Sequence, residues 1–161
     1  MSLSTGGRRS EVLGLTWDDV DLKTGEVRFR VTKNGRSRTV ILGKTALREL
    51  KKHSTLRAIK CNLIFPPLKP RRGGLNHTPW EDLSSPFRRA CEKAKIEDFR
   101  WHDMRHCSAS FMIMSGASIE EAMKVLGHKT PAMSWRYSHL DQKRNSELAN
   151  IVDSKFFKEV G

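Results

Sequence analysis

Residues 101–139 read WHDMRHCSASFMIMSGASIEEAMKVLGHKTPAMSWRYSH, and this stretch decides the fold class. A helix from about Asp103 to Ser115 is predicted to close at Gly116, because glycine enters the left-handed conformation that ends helices at little steric cost. Ser118 with Glu121 three positions on forms a capping box, so a second helix starts there and stops at Gly127. Thr130-Pro131 opens one more, through Tyr137.

Upstream the periodicity changes. Val27, Phe29 and Val31 alternate with Arg28, Arg30 and Thr32, Asn34-Gly35 follows, and Thr39 to Leu42 is again rich in β-formers. An Asn-Gly step between two such runs predicts a hairpin. Asp18 to Leu22 is a candidate third strand beside it. Before the hairpin, Thr5-Gly6-Gly7 leads into a short amphipathic helix read over Arg8 to Trp17, carrying Val12, Leu13 and Leu15. After it, Thr45 to Ser54 reads as a helix with Ala46, Leu47 and Leu50 inward, followed by an apolar stretch, Asn62 to Phe65, that Pro66-Pro67 ends. Pro70 to Gly74 is a basic, breaker-rich loop. Thr78-Pro79-Trp80-Glu81 marks a helix start, and Pro86 interrupts or restarts that helix before Phe87 to Lys95. The tail from Asp141 to Val160 is amphipathic, with Leu148, Ile151, Val152, Phe156 and Phe157 in one stripe. The expected class is α+β, mostly helical with a small antiparallel β-sheet near the N-terminus.

The 161 residues suit a single domain, and 37% hydrophobic content supports a core. Thirty Lys and Arg against 18 Asp and Glu give a net charge of +12. Such a surplus points to a polyanionic partner, and to binding that weakens steeply with salt, although a solvated cationic face would look the same in composition. No apolar run approaches the ~18 residues of a membrane span and no secretory pattern opens the chain, so an intracellular protein is expected. Cys61, Cys91 and Cys107 are widely spaced and form no CxxC pair, which predicts reduced, structural thiols.

The chain has one tyrosine, Tyr137, in Trp135-Arg136-Tyr137-Ser138-His139. A lone tyrosine is ordinarily a packing residue, but its company here is unusual. His128 closes Leu126-Gly127-His128 nine positions earlier. His102 and Arg105 stand three apart, on one helical face. Lys33 adjoins the Asn34-Gly35 turn, and Thr5-Gly6-Gly7-Arg8-Arg9-Ser10-Glu11 opens the chain. The string His102-Asp103-Met104-Arg105-His106 also looks like a zinc-binding H-E-x-x-H, but the shorter acid and the lack of a clear third ligand argue against metal.

In order and spacing these five pieces resemble the catalytic domain of the tyrosine recombinases of the phage integrase family. The resemblance implies Tyr137 as nucleophile, Arg8 and Arg105 as an arginine pair on the phosphate, with Arg9 the rival for the first position. It further implies Lys33 as general acid for the leaving 5′ oxygen, His102 as assistant to the tyrosine, and His128 as a hydrogen-bond donor to a non-bridging oxygen. Guanidinium forks suit those oxygens better than ammonium groups do. A covalent 3′-phosphotyrosine would conserve the energy of the broken bond, so no cofactor, ATP or metal is implied.

The resemblance further implies a site-specific recombinase or integrase, cytoplasmic or nucleoid-associated and phage- or mobile-element-encoded. Its partners would be double-stranded DNA and copies of itself, in a tetrameric synapse in the full-length protein. Residues 1–161 would be one catalytic-domain fragment, lacking an N-terminal core-binding domain and the first catalytic-domain helices. Residues 141–161 would be a C-terminal helix exchanged between subunits or, equally, a helix closing its own core. The alternatives are a DNA-binding module of the same fold without turnover, and a type IB topoisomerase-like swivel.

Overall fold

The computed structural model describes residues 1–30, 37–57, 61–66, 84–128, 130, 132–138 and 149–152. The predicted Asn34-Gly35 turn, Val31, the basic loop 70–74, the helix start at Thr78-Pro79 and most of the C-terminal stripe lie outside these residues. Two described members of the stripe, Ile151 and Val152, are about half exposed.

The chain opens with α1 (Ser2–Thr5), whose end is capped by Gly6 at φ 58°, and continues through α2 (Arg9–Leu13). The helix read over Arg8 to Trp17 is thus shorter than expected, and Trp17–Asp19 form a separate 3-10 turn. Its cause is local: the Asp19 carboxylate accepts from the Thr16 amide at 2.9 Å and from the Thr16 hydroxyl at 2.6 Å, and it also pairs with Arg30. That knot bends the chain where a third strand was expected, and only a single bridge, Val20 to Val27, remains of it.

Strands β1 (Glu26–Phe29) and β2 (Arg38–Ile41) pair antiparallel, with Val27 opposite Val40 and Phe29 opposite Arg38. The predicted alternation holds, since Val27, Phe29, Val40 and Leu42 are buried while Ile41 points to solvent. Helix α3 (Lys44–Ser54) turns Leu50 inward as read from the sequence. These residues join Val12, Leu15, Trp17 and Ile64 in a first core. Leu63 bridges to Thr16 and so ties the segment after α3 to this layer.

The remaining helices are α4 (Ser84–Lys93), α5 (Asp103–Met114), α6 (Ile119–Leu126) and α7 (Ala132–Trp135). Pro86 sits in the first turn of α4, where a missing amide costs least. The capping box of α6 is formed as expected: Glu121 N donates to the Ser118 hydroxyl at 3.1 Å and Ser118 N to the Glu121 carboxylate at 2.7 Å. Gly116 and Gly127 take φ of 88° and 67°, as their closing roles required. Helix α7 is shorter than expected, and Tyr137 stands in the turn after it. A second core gathers Ala109 and Ile113 of α5, Ala122 and Leu126 of α6, and Tyr137. Among the described residues no helix is long and apolar enough to cross a membrane.

Candidate active site

The two cores meet along a seam of arginines. Arg105, on the first turns of α5 and only 5% exposed, donates from Nη1 to the Gly6 carbonyl at 2.5 Å and from Nη2 to the Leu126 carbonyl at 2.7 Å. One guanidinium therefore ties the turn before α2 to the end of α6. Burial, and then the nearby Arg8 and Arg38, lower its pKa to about 10, which still leaves it charged at neutral pH.

Arg8 caps α2, and its side chain is held by Glu11. The Arg8 Nη1 donates to Glu11 Oε1 at 2.8 Å, and the Arg8 amide to Oε2 at 2.9 Å. Oε2 also accepts from Arg38 Nη2 at 2.7 Å. Burial would raise the Glu11 pKa, but the hydrogen bonds from Arg38 and Arg8 prevail and bring it down to about 2. Arg38 is anchored further by the Val125 carbonyl at 3.0 Å and lies over the Phe29 ring at 4.4 Å. Glu11 is thus the carboxylate that lets three guanidinium groups stand close together.

His128 follows the αL residue Gly127, and its amide donates to the Met123 carbonyl at 3.1 Å, so the turn fixes its backbone. Burial first, then Arg105 and Arg8, push its pKa down to about 4. It is a neutral imidazole at neutral pH, able to donate one N–H to an anion. His102, at the N-cap of α5, is likewise lowered, by burial and by the neighbouring His106 and Arg105.

Tyr137 is 8% exposed, and burial raises its phenol, an effect that Arg136 and Arg105 oppose. The side chain against its oxygen is His106, whose Nδ1 lies 2.5 Å from Oη. The family resemblance implies His102 in the assisting role. His102 instead packs edge-on against His106, with ring centroids 4.7 Å apart. The available signal was the i, i+4 spacing of His102 and His106, which sets both imidazoles on one face of α5. The same spacing would suit a zinc pair, but no metal-binding cluster of His, Cys, Asp and Glu occurs among the described residues. Glu11 and Arg38 were the other omissions. Arg8, His102, Arg105, His128 and Tyr137 are linked by these contacts and charge interactions, whereas Lys33 lies outside the described residues. Arg9, the rival to Arg8, faces an adjoining open cleft of about 1350 Å³ that Lys95, Arg100, Trp101 and His102 also line.

Comparison with known proteins shows the family and the fold. The sequence model described as "Phage integrase family" matches residues 1–144. The integrase of Salmonella phage P22 is 32% identical over 99% of this chain and 42% of its own length. The crystal structure of XerA recombinase superposes with a TM-score of 0.72 at 24% identity, over 96% of this chain and 56% of that one. The catalytic domain of bacteriophage HP1 integrase superposes with a TM-score of 0.63 at 26% identity, over 96% of this chain and 77% of that one. The chain therefore spans less than half the length of the P22 protein.

Proposed function

The chain belongs to the phage integrase family, and from that premise we propose that it is the catalytic portion of a site-specific DNA strand transferase working through a 3′-phosphotyrosine. The observation that supports this most is the surroundings of the single tyrosine: a buried phenol hydrogen-bonded to an imidazole, in the field of Arg105, at the seam where Arg8 and His128 also gather. A packing tyrosine would need none of these charges.

In this reading the Tyr137 oxygen attacks a phosphodiester phosphorus in line with the departing 5′ oxygen. The O–P bond to tyrosine forms as the P–O5′ bond breaks. Charge grows on the non-bridging oxygens in the transition state, and Arg8 and Arg105 stabilise it there with charge-assisted hydrogen bonds. His128, neutral, adds a hydrogen bond that requires little reorganisation. Lys33 delivers the proton to the 5′ oxygen, and His102, packed edge-on against His106, supports the imidazole that meets the nucleophile. A second 5′ hydroxyl then reverses the sequence and rejoins the strand. The net charge of +12 supports duplex DNA as partner, and self-association on DNA is part of the same proposal.

A duplex nicked close to the cleavage point tests it, because the short 5′ product diffuses away and traps the covalent species. A denaturation-resistant protein–DNA adduct is the expected result. Retarded DNA with no adduct would make the chain a binding module, and relaxation of one supercoiled duplex without strand exchange would favour the topoisomerase-like swivel.

A further inference from the structure

We propose that His106 is a further catalytic residue, the base that takes the phenolic proton from Tyr137 as its oxygen attacks; this rests on the strand-transferase reading above. The contact is direct: Nδ1 stands 2.5 Å from Oη, the hydrogen-bonding separation from which a proton passes in one step. It is also the contact that the fold fixes from both sides. His106 is held on α5 next to Arg105, whose guanidinium is bonded to two backbone carbonyls, while the Tyr137 ring is packed into the second core with Ala109, Ile113, Ala122 and Leu126.

The chemical need is equally plain. Burial raises the phenol above its ordinary value, so at neutral pH almost none of it is ionised. Of the two imidazoles on this face of α5, His106 is the one hydrogen-bonded to the phenol among the described residues, while His102 packs against the ring of His106. In the step itself the proton moves from Oη to Nδ1, the freed electron pair forms the O–P bond, and the P–O5′ bond breaks. The 5′ oxygen takes its proton from the general acid. In the return step His106 gives its proton back to Tyr137. For this the resting imidazole must carry its hydrogen on Nε2 and present a bare Nδ1.

The test uses the full chain on the nicked duplex, read as single-turnover adduct formation, with His106→Gln and His106→Ala. Glutamine can hold the phenol through a hydrogen bond but cannot accept its proton, so both variants should lose about 10²- to 10⁴-fold in rate while DNA affinity changes less than threefold. Free imidazole should restore His106→Ala at least tenfold. A substrate with sulfur at the bridging 5′ position, whose leaving group departs without a proton, should leave the defect in place. Full activity in His106→Gln would reduce the residue to a positioning role, faster cleavage by either variant would make the contact a restraining latch, and rescue by the bridging sulfur would move His106 to the leaving group. Each overturns the proposal. Nitrogen-15 NMR of the wild-type imidazole gives a readout independent of turnover and of variant folding: an Nε2–H tautomer is expected, and an Nδ1–H tautomer refutes it. If the wild type itself forms no adduct, the strand-transferase reading fails and this one with it; if the wild type reacts and the variants match it, only the role of His106 fails.

Discussion

Glu11→Gln removes the carboxylate that, among the described residues, bonds both Arg8 and Arg38, while preserving the shape of the side chain. Its cost follows from the ionisation of Glu11. Folding lowers the carboxyl from 4.5 to about 2, and at about 1.4 kcal/mol per pH unit this amounts to about 3 kcal/mol in favour of the native state. The side chains of Glu11 and Arg38 are only 8% and 9% exposed, so solvent screening takes little from that figure. Breaking one side of a buried pair commonly costs about 3–5 kcal/mol, which agrees. The folded value is the depressed one, so the contribution is complete above the unfolded value of 4.5 and is lost as pH falls toward 2. Urea denaturation of wild type and Glu11→Gln should therefore differ by about 3 kcal/mol at pH 7 and by about 1 kcal/mol at pH 3, with sucrose present in both series to keep the proteins folded. A difference below about 1 kcal/mol at pH 7, or one that does not shrink with acid, would show that Glu11 does not hold the arginines together.

Gly6→Ala should destabilise by about 2–4 kcal/mol, combining left-handed strain with overpacking. Its Cβ would lie 2.2 Å from Leu126 Cδ2, whereas Gly43 has open space and Gly43→Ala should be nearly silent in the same melts. Arg105→Lys offers one ammonium in place of the fork that bonds the Gly6 and Leu126 carbonyls. It should cost about 1–3 kcal/mol of stability by leaving a buried carbonyl unpaired. At a temperature where the variant stays folded, adduct formation should fall far more than DNA affinity, and equal losses in both would mark Arg105 as a plain phosphate contact.

Local signals carried much of the architecture. Ser118 with Glu121, Gly116 and Gly127 act within a few residues of themselves, and helix α6 begins and ends where they require. The alternation Val27, Phe29, Val40, Leu42 likewise states which face of the hairpin is buried. What escaped was set by distant partners. Arg38 reads as one more polar strand residue until its bonds to Glu11 and to the Val125 carbonyl bring three segments together. Asp19 reads as part of a strand, and its bonds to Thr16 and Arg30 make it the pivot of a turn. The family pattern named Arg8, His102, Arg105, His128 and Tyr137, because each belongs to a short motif of fixed spacing. It did not name His106, because no local rule says which of two histidines on one helical face will meet a tyrosine 31 residues further on.

In the proposed strand transfer Tyr137 becomes covalently linked to DNA. Protease digestion of the trapped adduct, followed by mass spectrometry, reads this directly. A 3′-nucleotide mass is expected on the peptide that contains Tyr137, with its complete loss in Tyr137→Phe while the variant still retards the duplex. An adduct on any other residue, an adduct that survives Tyr137→Phe, or strand cleavage that leaves no protein attached would contradict it.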